Sequence, residues 1–227
     1  MHVNFLEMIF PLEEVARRAA AAGYDGIELR GWDRTEKLPL PEYLNRCCDI
    51  AASNKLELVL GCPNDGLSKG KGPRDRAMAN LQTVIRIGAE HGVRILNVFA
   101  EPLISDAIPY THFEEIGSVL ADDAMRQATA DYFKEAGDFA AKHNVTLCFE
   151  MHNGYLHDLA APTLALLKAI DRKNVKADID FGNIVLSRNN QGMDKELELM
   201  AGRIGYVHLK NVISLNRFDS RIFRCVA

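Results

Sequence analysis

The chain has 227 residues, 48% of them apolar and 26% charged, with a formal net charge of -4. That length and balance suit one large soluble globular domain with its own core, and the mild acidity gives no ground for a nucleic-acid or membrane-surface partner. No segment approaches the roughly 20 apolar residues of a membrane-spanning helix, and the start of the chain lacks the basic and apolar regions of a signal peptide.

Seven short apolar runs read as strands: His2–Leu6, Gly26–Arg30, Leu56–Gly61, Arg94–Ala100, Thr146–Met151, Lys176–Phe181 and Gly205–Asn211. Helical stripes lie between them. Leu12, Val15, Ala16 and Ala19 form one, Met78, Leu81, Ile85 and Ala89 another, and Tyr132, Ala136, Phe139 and Ala140 a third, each with charges on the opposite face. Pro11, Pro41, Pro73 and Pro162 stand near helix starts, where a missing N–H costs little. One phrase recurs, in which a helix closes near Gly or Asn and a strand begins at once: Ala22-Gly23-Tyr24-Asp25-Gly26, His91-Gly92-Val93, His143-Asn144-Val145 and Lys173-Asn174-Val175. Gly or Asn suits the left-handed residue that ends a helix, and a short link into a parallel strand is the junction of a wound α/β protein. Eight such units close the common TIM barrel. The expected fold is therefore a TIM (β/α)8-type barrel in a single domain over residues 1–227, incomplete at the C-terminus, with an atypical tail over residues 214–227. That tail shows neither a helix stripe nor a strand with a junction. Residues 101–123 read as a rim loop or short helix, a common place for substrate contacts. The five cysteines (Cys47, Cys48, Cys62, Cys148 and Cys225) show no paired spacing, which fits a reducing cytoplasm. Cys47 and Cys48 read as helix packing.

The fifth, sixth and seventh predicted strands end in Glu150, Asp180 and His208, about one strand-plus-helix unit apart. Consecutive parallel strands lie side by side, so these tips meet on one rim of the barrel. Two carboxylates and an imidazole suit a hard-to-borderline divalent metal. Asp178 shares a strand face with Asp180; Asp180 lies nearer the strand end, and Asp178 is left to point into the barrel layer beside a basic group. After Glu150 the loop carries His152 and His157. His157 is a candidate for substrate binding or proton transfer, and the alternative for each histidine is a surface position. Asn183 could hold a substrate hydroxyl or form a turn. Lys210 could neutralise a developing enolate or a phosphate, or lie in solvent. Glu28, Arg30 and Trp32 end the second strand, and Asn97, Phe99 and Glu101 the fourth. There an aromatic ring can stack on a sugar and a charge can take its hydroxyls, or the charges can form rim pairs such as Glu28–Arg30. No phosphate loop, dinucleotide fingerprint, nucleophile elbow or CxxC pair is present.

The phrases Ala21-Ala22-Gly23-Tyr24-Asp25-Gly26-Ile27-Glu28, Phe149-Glu150-Met151-His152, Asp180-Phe181-Gly182-Asn183 and Val207-His208-Leu209-Lys210 resemble the xylose isomerase-like TIM-barrel superfamily of sugar isomerases and epimerases. The resemblance runs from Val3 to Asn211. It implies an enzyme that binds one divalent metal, manganese first, with magnesium, cobalt or zinc as alternatives. Glu150, Asp180 and His208 match three of the family's four ligands; its fourth, a Glu after the eighth strand, has no counterpart here, and its Lys-Asp after the histidine reads Lys210-Asn211. The implied activity is isomerisation or epimerisation of a small sugar or hydroxy-carbonyl compound through a metal-stabilised enediolate, with Glu150 as one base. His152, His157, Asn183, Lys210, Glu28 and Trp32 are the implied substrate contacts. An inosose-type dehydratase or an inactive, truncated barrel are the alternatives. Related DNA-repair endonucleases need three metals, more rim histidines and a basic face, none of which this chain offers. Strand edges left open by a missing unit favour homo-oligomers.

Overall fold

Strands rich in Ile, Leu and Val joined through helices can pair only in parallel, because each crossover returns the chain to the same end of the sheet. The computed structural model describes residues 1, 6–35, 37–62, 64, 67, 69–109, 112–214 and 223–226, with side chains as far as residue 210. In chain order the elements are α1 (Leu12–Ala21), β1 (Gly26–Arg30), α2 (Leu40–Ser53), β2 (Glu57–Cys62), α3 (Lys71–Glu90), β3 (Ile95–Val98), α4 (Asp123–Lys142), β4 (Thr146–Glu150), α5 (Ala160–Ile170), β5 (Val175–Asp180), α6 (Phe181–Leu186), α7 (Met193–Leu199), β6 (Ile204–His208), β7 (Asn211–Ser214) and β8 (Phe223–Val226). Strands β1 to β6 form one parallel sheet in sequence order, curled into an open half-barrel.

The second to seventh predicted strands thus become β1–β6. The first predicted strand lies outside the described residues except for Leu6, which opens a 3-10 turn at Leu6–Met8. Two corrections concern the C-terminal part. Asn211 belongs not to the seventh predicted strand but to β7, and the tail that showed no strand contributes β8; these two pair antiparallel. β7 follows β6 with no helix between them, so the helix-to-strand junction that marked the parallel strands is missing here. Residues 101–123 carry two 3-10 turns, Phe113–Glu115 and Gly117–Leu120.

The predicted stripes pack inward. Leu12, Val15, Ala16 and Ala19 are all buried, as are Met78, Leu81 and Ile85 on α3 and Tyr132, Ala136 and Ala140 on α4. Cys47 and Cys48 are buried on α2, and Cys47, Cys48, Cys62 and Cys148 are free thiols. Three junctions close on left-handed residues as expected, at Gly23 (φ 83°), Gly92 (φ 88°) and Asn144 (φ 56°). In the fourth, the left-handed residue is Asp171 (φ 51°), which caps α5, and not Asn174; Asn174 instead donates its side-chain amide to Gly137 O and Val145 O. No described helix is long and apolar enough to cross a membrane.

One irregularity decides what faces what. Ala177 pairs with Ile204, but Asp178 pairs with Tyr206, so Gly205 is an extra residue on β6. The bulge advances β6 by one position and brings His208 opposite Asp180. In a bulge-free register Val207 would stand there, and since side chains alternate faces, the imidazole would be lost from the site. A Cβ on Gly205 would stand 2.7 Å from Cys148 Sγ, so the close approach requires glycine.

Candidate metal and active site

Glu150 ends β4, Asp180 ends β5 and His208 ends β6, and the structure brings them together: each offers a ligand atom within 4.8 Å of the other two. His208 Nδ1 lies 3.4 Å from Glu150 Oε2 and 3.8 Å from Asp180 Oδ2. Asp180 also caps α6, accepting the Asn183 N–H at 2.9 Å, while its other oxygen lies 2.7 Å from Lys210 Nζ. Asn183 is buried at the centre of this corner. Its Nδ2 donates to Glu150 Oε1 at 3.1 Å and its Oδ1 accepts from Lys210 at 3.0 Å. The Lys210 stem lies over Gly182, where a Cβ would come within 2.6 Å of Lys210 Cδ.

Asp178 points into the barrel layer, with His208 Nδ1 at 3.3 Å. It is fully buried, and neither of its carboxylate oxygens has a hydrogen-bond partner among the described residues. Burial, opposed by His208 and reinforced by Glu150, Glu28 and Asp180, pushes its carboxyl up to about 8. Burial alone would push the Glu150 carboxyl up as well. The hydrogen bond from His208, the charges of His152 and His208 and the amide of Asn97 outweigh it and hold the group below the usual carboxylate range. Burial would lower His208, but its contacts with Glu150 and Glu28 push it up to about 11. The interior therefore holds four carboxylates, Glu28, Glu150, Asp178 and Asp180, around one imidazole and one ammonium. Negative charge is in excess even with His208 protonated, and buried charge of one sign needs a counter-ion. The donors and this excess fit a divalent cation.

The other predicted contacts divide. His152 is partly exposed beside Glu150, its Nδ1 2.8 Å from Asn153 O and its ring edge-on to Phe99 and Tyr155 at 5.9 and 5.4 Å. His157 is fully buried and not at the rim. Its Nε2 accepts the Ala100 N–H at 3.0 Å, so its Nδ1 carries the proton and donates to Glu150 O at 2.6 Å. Burial pushes it down to about 4, which keeps it neutral. With both nitrogens spent on backbone, it braces the β4 tip and cannot take a hydroxyl. Glu28 is likewise buried at 1% exposure, under the cluster, its oxygens engaged by Asn97 and His208. Arg30 pairs with Glu7. Trp32 lines a separate cleft of about 420 Å³, with Leu40, Cys62, Asn64 and Arg76 among its walls and none of the cluster residues. Sequence reasoning missed the role of Asn97, whose Nδ2 bridges Glu28 at 2.9 Å and Glu150 at 2.8 Å; its place two residues before Phe99 on one strand face was the available signal.

The family described as xylose isomerase-like TIM barrel matches residues 16–226. No curated protein matches the chain. Among solved structures, D-psicose 3-epimerase from Clostridium cellulolyticum H10, crystallised with D-tagatose, aligns with a TM-score of 0.71 at 16% identity over 88% of this chain and 68% of its own. The probable 3-DHS dehydratase AsbF from Bacillus anthracis aligns with a TM-score of 0.71 at 19% identity, over 93% of this chain and 72% of its own. A xylose isomerase-like TIM barrel protein from Mycobacterium smegmatis, in complex with magnesium, aligns with a TM-score of 0.72 at 17% identity over 94% and 71%. At these identities the likeness is one of fold.

Proposed function

The chain belongs to the xylose isomerase-like TIM barrel family, and from that premise we propose that it is a metal-dependent isomerase or epimerase of a small sugar or hydroxy-carbonyl compound, moving a proton on the carbon next to a carbonyl. The observation that carries this reading is the convergence of Glu150, Asp180 and His208 from three neighbouring strand tips. They would hold one divalent ion, manganese first, with magnesium, cobalt or zinc as alternatives, which supplies Lewis-acid polarisation of substrate oxygens.

This chain's own groups do the rest. Glu150 is aimed by the amides of Asn97 and Asn183, which suits a group that takes a proton at a fixed position. Lys210, steered by Asn183 and by the close fit over Gly182, sets a positive charge at the mouth, where negative charge develops on the substrate. His152, Phe99 and Tyr155 form an aromatic wall beside Glu150 that suits the apolar face of a sugar. The free buried thiols support a reducing, cytoplasmic setting. A dehydratase would use the same proton removal followed by loss of a hydroxide, and the fold likeness to AsbF keeps that reaction in the test.

The test is a panel of ketoses, aldoses and cyclitols incubated with the protein and manganese in deuterated water, read by NMR. Deuterium entering a carbon next to a carbonyl, abolished in a folded Glu150→Gln variant, is the expected result. Loss of water from a cyclitol would favour the lyase. Undiminished turnover in Glu150→Gln removes Glu150 from the mechanism, and no exchange on any compound sinks the proposal.

A further inference from the structure

The imidazole of His208 is gripped from both sides. Nδ1 faces Glu150, Asp180 and Asp178, whereas Nε2 lies 2.7 Å from Glu28 Oε2. Glu28 stands on β1 and His208 on β6, the two ends of the sheet order, so this contact crosses the barrel interior and is not a rung between neighbours. Glu28 is fixed in turn by Asn97 on β3, whose amide donates to Glu28 Oε1 at 2.9 Å and to Glu150 Oε2 at 2.8 Å. An ionised carboxylate has only acceptors to offer, so the hydrogen between Glu28 and His208 is the imidazole's Nε2–H. With the Nε2 proton committed to Glu28, the proton that a cation displaces is the one at Nδ1, and the lone pair so freed is on the nitrogen turned toward Glu150 and Asp180.

We propose that Glu28 is the positioning residue for His208: by accepting the Nε2 proton across the barrel it fixes the ring's orientation and tautomer so that Nδ1 is the ligating atom. This rests on the metal reading of the site. Glu28 touches neither metal nor substrate; its contribution passes through the ring and through Asn97 to Glu150. Carboxylates that orient a ligating histidine are typically worth about 10–100-fold in metal affinity.

The experiment titrates metal-stripped wild-type protein and Glu28→Gln with manganese by calorimetry. It also records the imidazole N–H proton of His208 in the zinc-loaded, ¹⁵N-histidine-labelled proteins. Gln cannot accept from both Asn97 and His208, so about 10–100-fold weaker binding at one ion per chain is expected, together with an upfield move of the Nε2–H signal. Wild-type affinity with an unmoved signal in Glu28→Gln overturns the positioning role and leaves the metal site standing. Absence of binding in the wild-type protein overturns both readings. If Glu28→Gln fails to fold by circular dichroism, Glu28→Asp, which keeps the charge but withdraws it by one methylene, carries the same comparison.

Discussion

Gly205→Ala tests whether the bulge in β6 builds the site. The added methyl would sit 2.7 Å from Cys148 Sγ and 3.0 Å from Lys176 Cβ, closer than carbon tolerates. Overpacking of this kind costs about 1–3 kcal/mol, which for a domain of this size lowers Tm by about 2–12 °C at roughly 2–4 °C per kcal/mol. The chain can relieve the clash by separating β5 from β6 or by giving up the extra residue. The second route places Val207 opposite Asp180 and turns His208 off the site, so manganese affinity should fall together with stability. Thermal melts and calorimetric titration of the wild type, Gly205→Ala, Cys148→Ala and the double variant form a cycle. Removing Sγ should return part of the lost stability, with a coupling of about 0.5–3 kcal/mol. An unchanged melting point and affinity in Gly205→Ala would refute the reasoning, and a zero coupling would show that Cys148 is not what the methyl meets.

Adding manganese to stripped protein should raise Tm, with about 2.7 kcal/mol of stabilisation at a hundredfold excess over Kd; EDTA should reverse it, and Asp180→Asn should abolish it. Gly182→Ala should lift Lys210 from Asp180 and Asn183 and lower turnover more than it lowers Tm, read by paired kinetics and melts. The stripped protein should lose stability as pH rises from about 7 to 10, followed by urea melts across pH. His208, raised from 6.5 to about 11, contributes stability that is present below its unfolded value and lost as pH climbs through its folded one. Asp178, raised from 3.8 to about 8, gives a fall in the same direction over the lower window from about pH 4 to 8, because there the folded protein keeps a proton that the unfolded chain has released. A flat profile would contradict both directions.

Much of this was legible in one dimension. Short apolar runs located six strands and period-3.6 stripes the packed faces of α1, α3 and α4, because burial imposes those patterns locally. The convergence of Glu150, Asp180 and His208 was legible because parallel strands with similar crossovers end on the same rim, so position along each strand already implies proximity. Polar residues inside the barrel were harder. Glu28 and His157 read as rim groups because a charged or imidazole side chain near a strand end is most often exposed. Nothing local says that both are buried, one under the cluster and the other braced by backbone.

The sequence by itself determined a wound α/β barrel and the three strand tips that meet on its rim. Only the tertiary structure decided which nitrogen of His208 faces those carboxylates. That choice depends on one extra residue at Gly205 and on a hydrogen bond from His208 Nε2 to Glu28 that exists only once β1 and β6 have curled toward each other. Register and curvature are properties of the assembled sheet, set by contacts between residues 180 positions apart or on different strands, and no local pattern along the chain carries them.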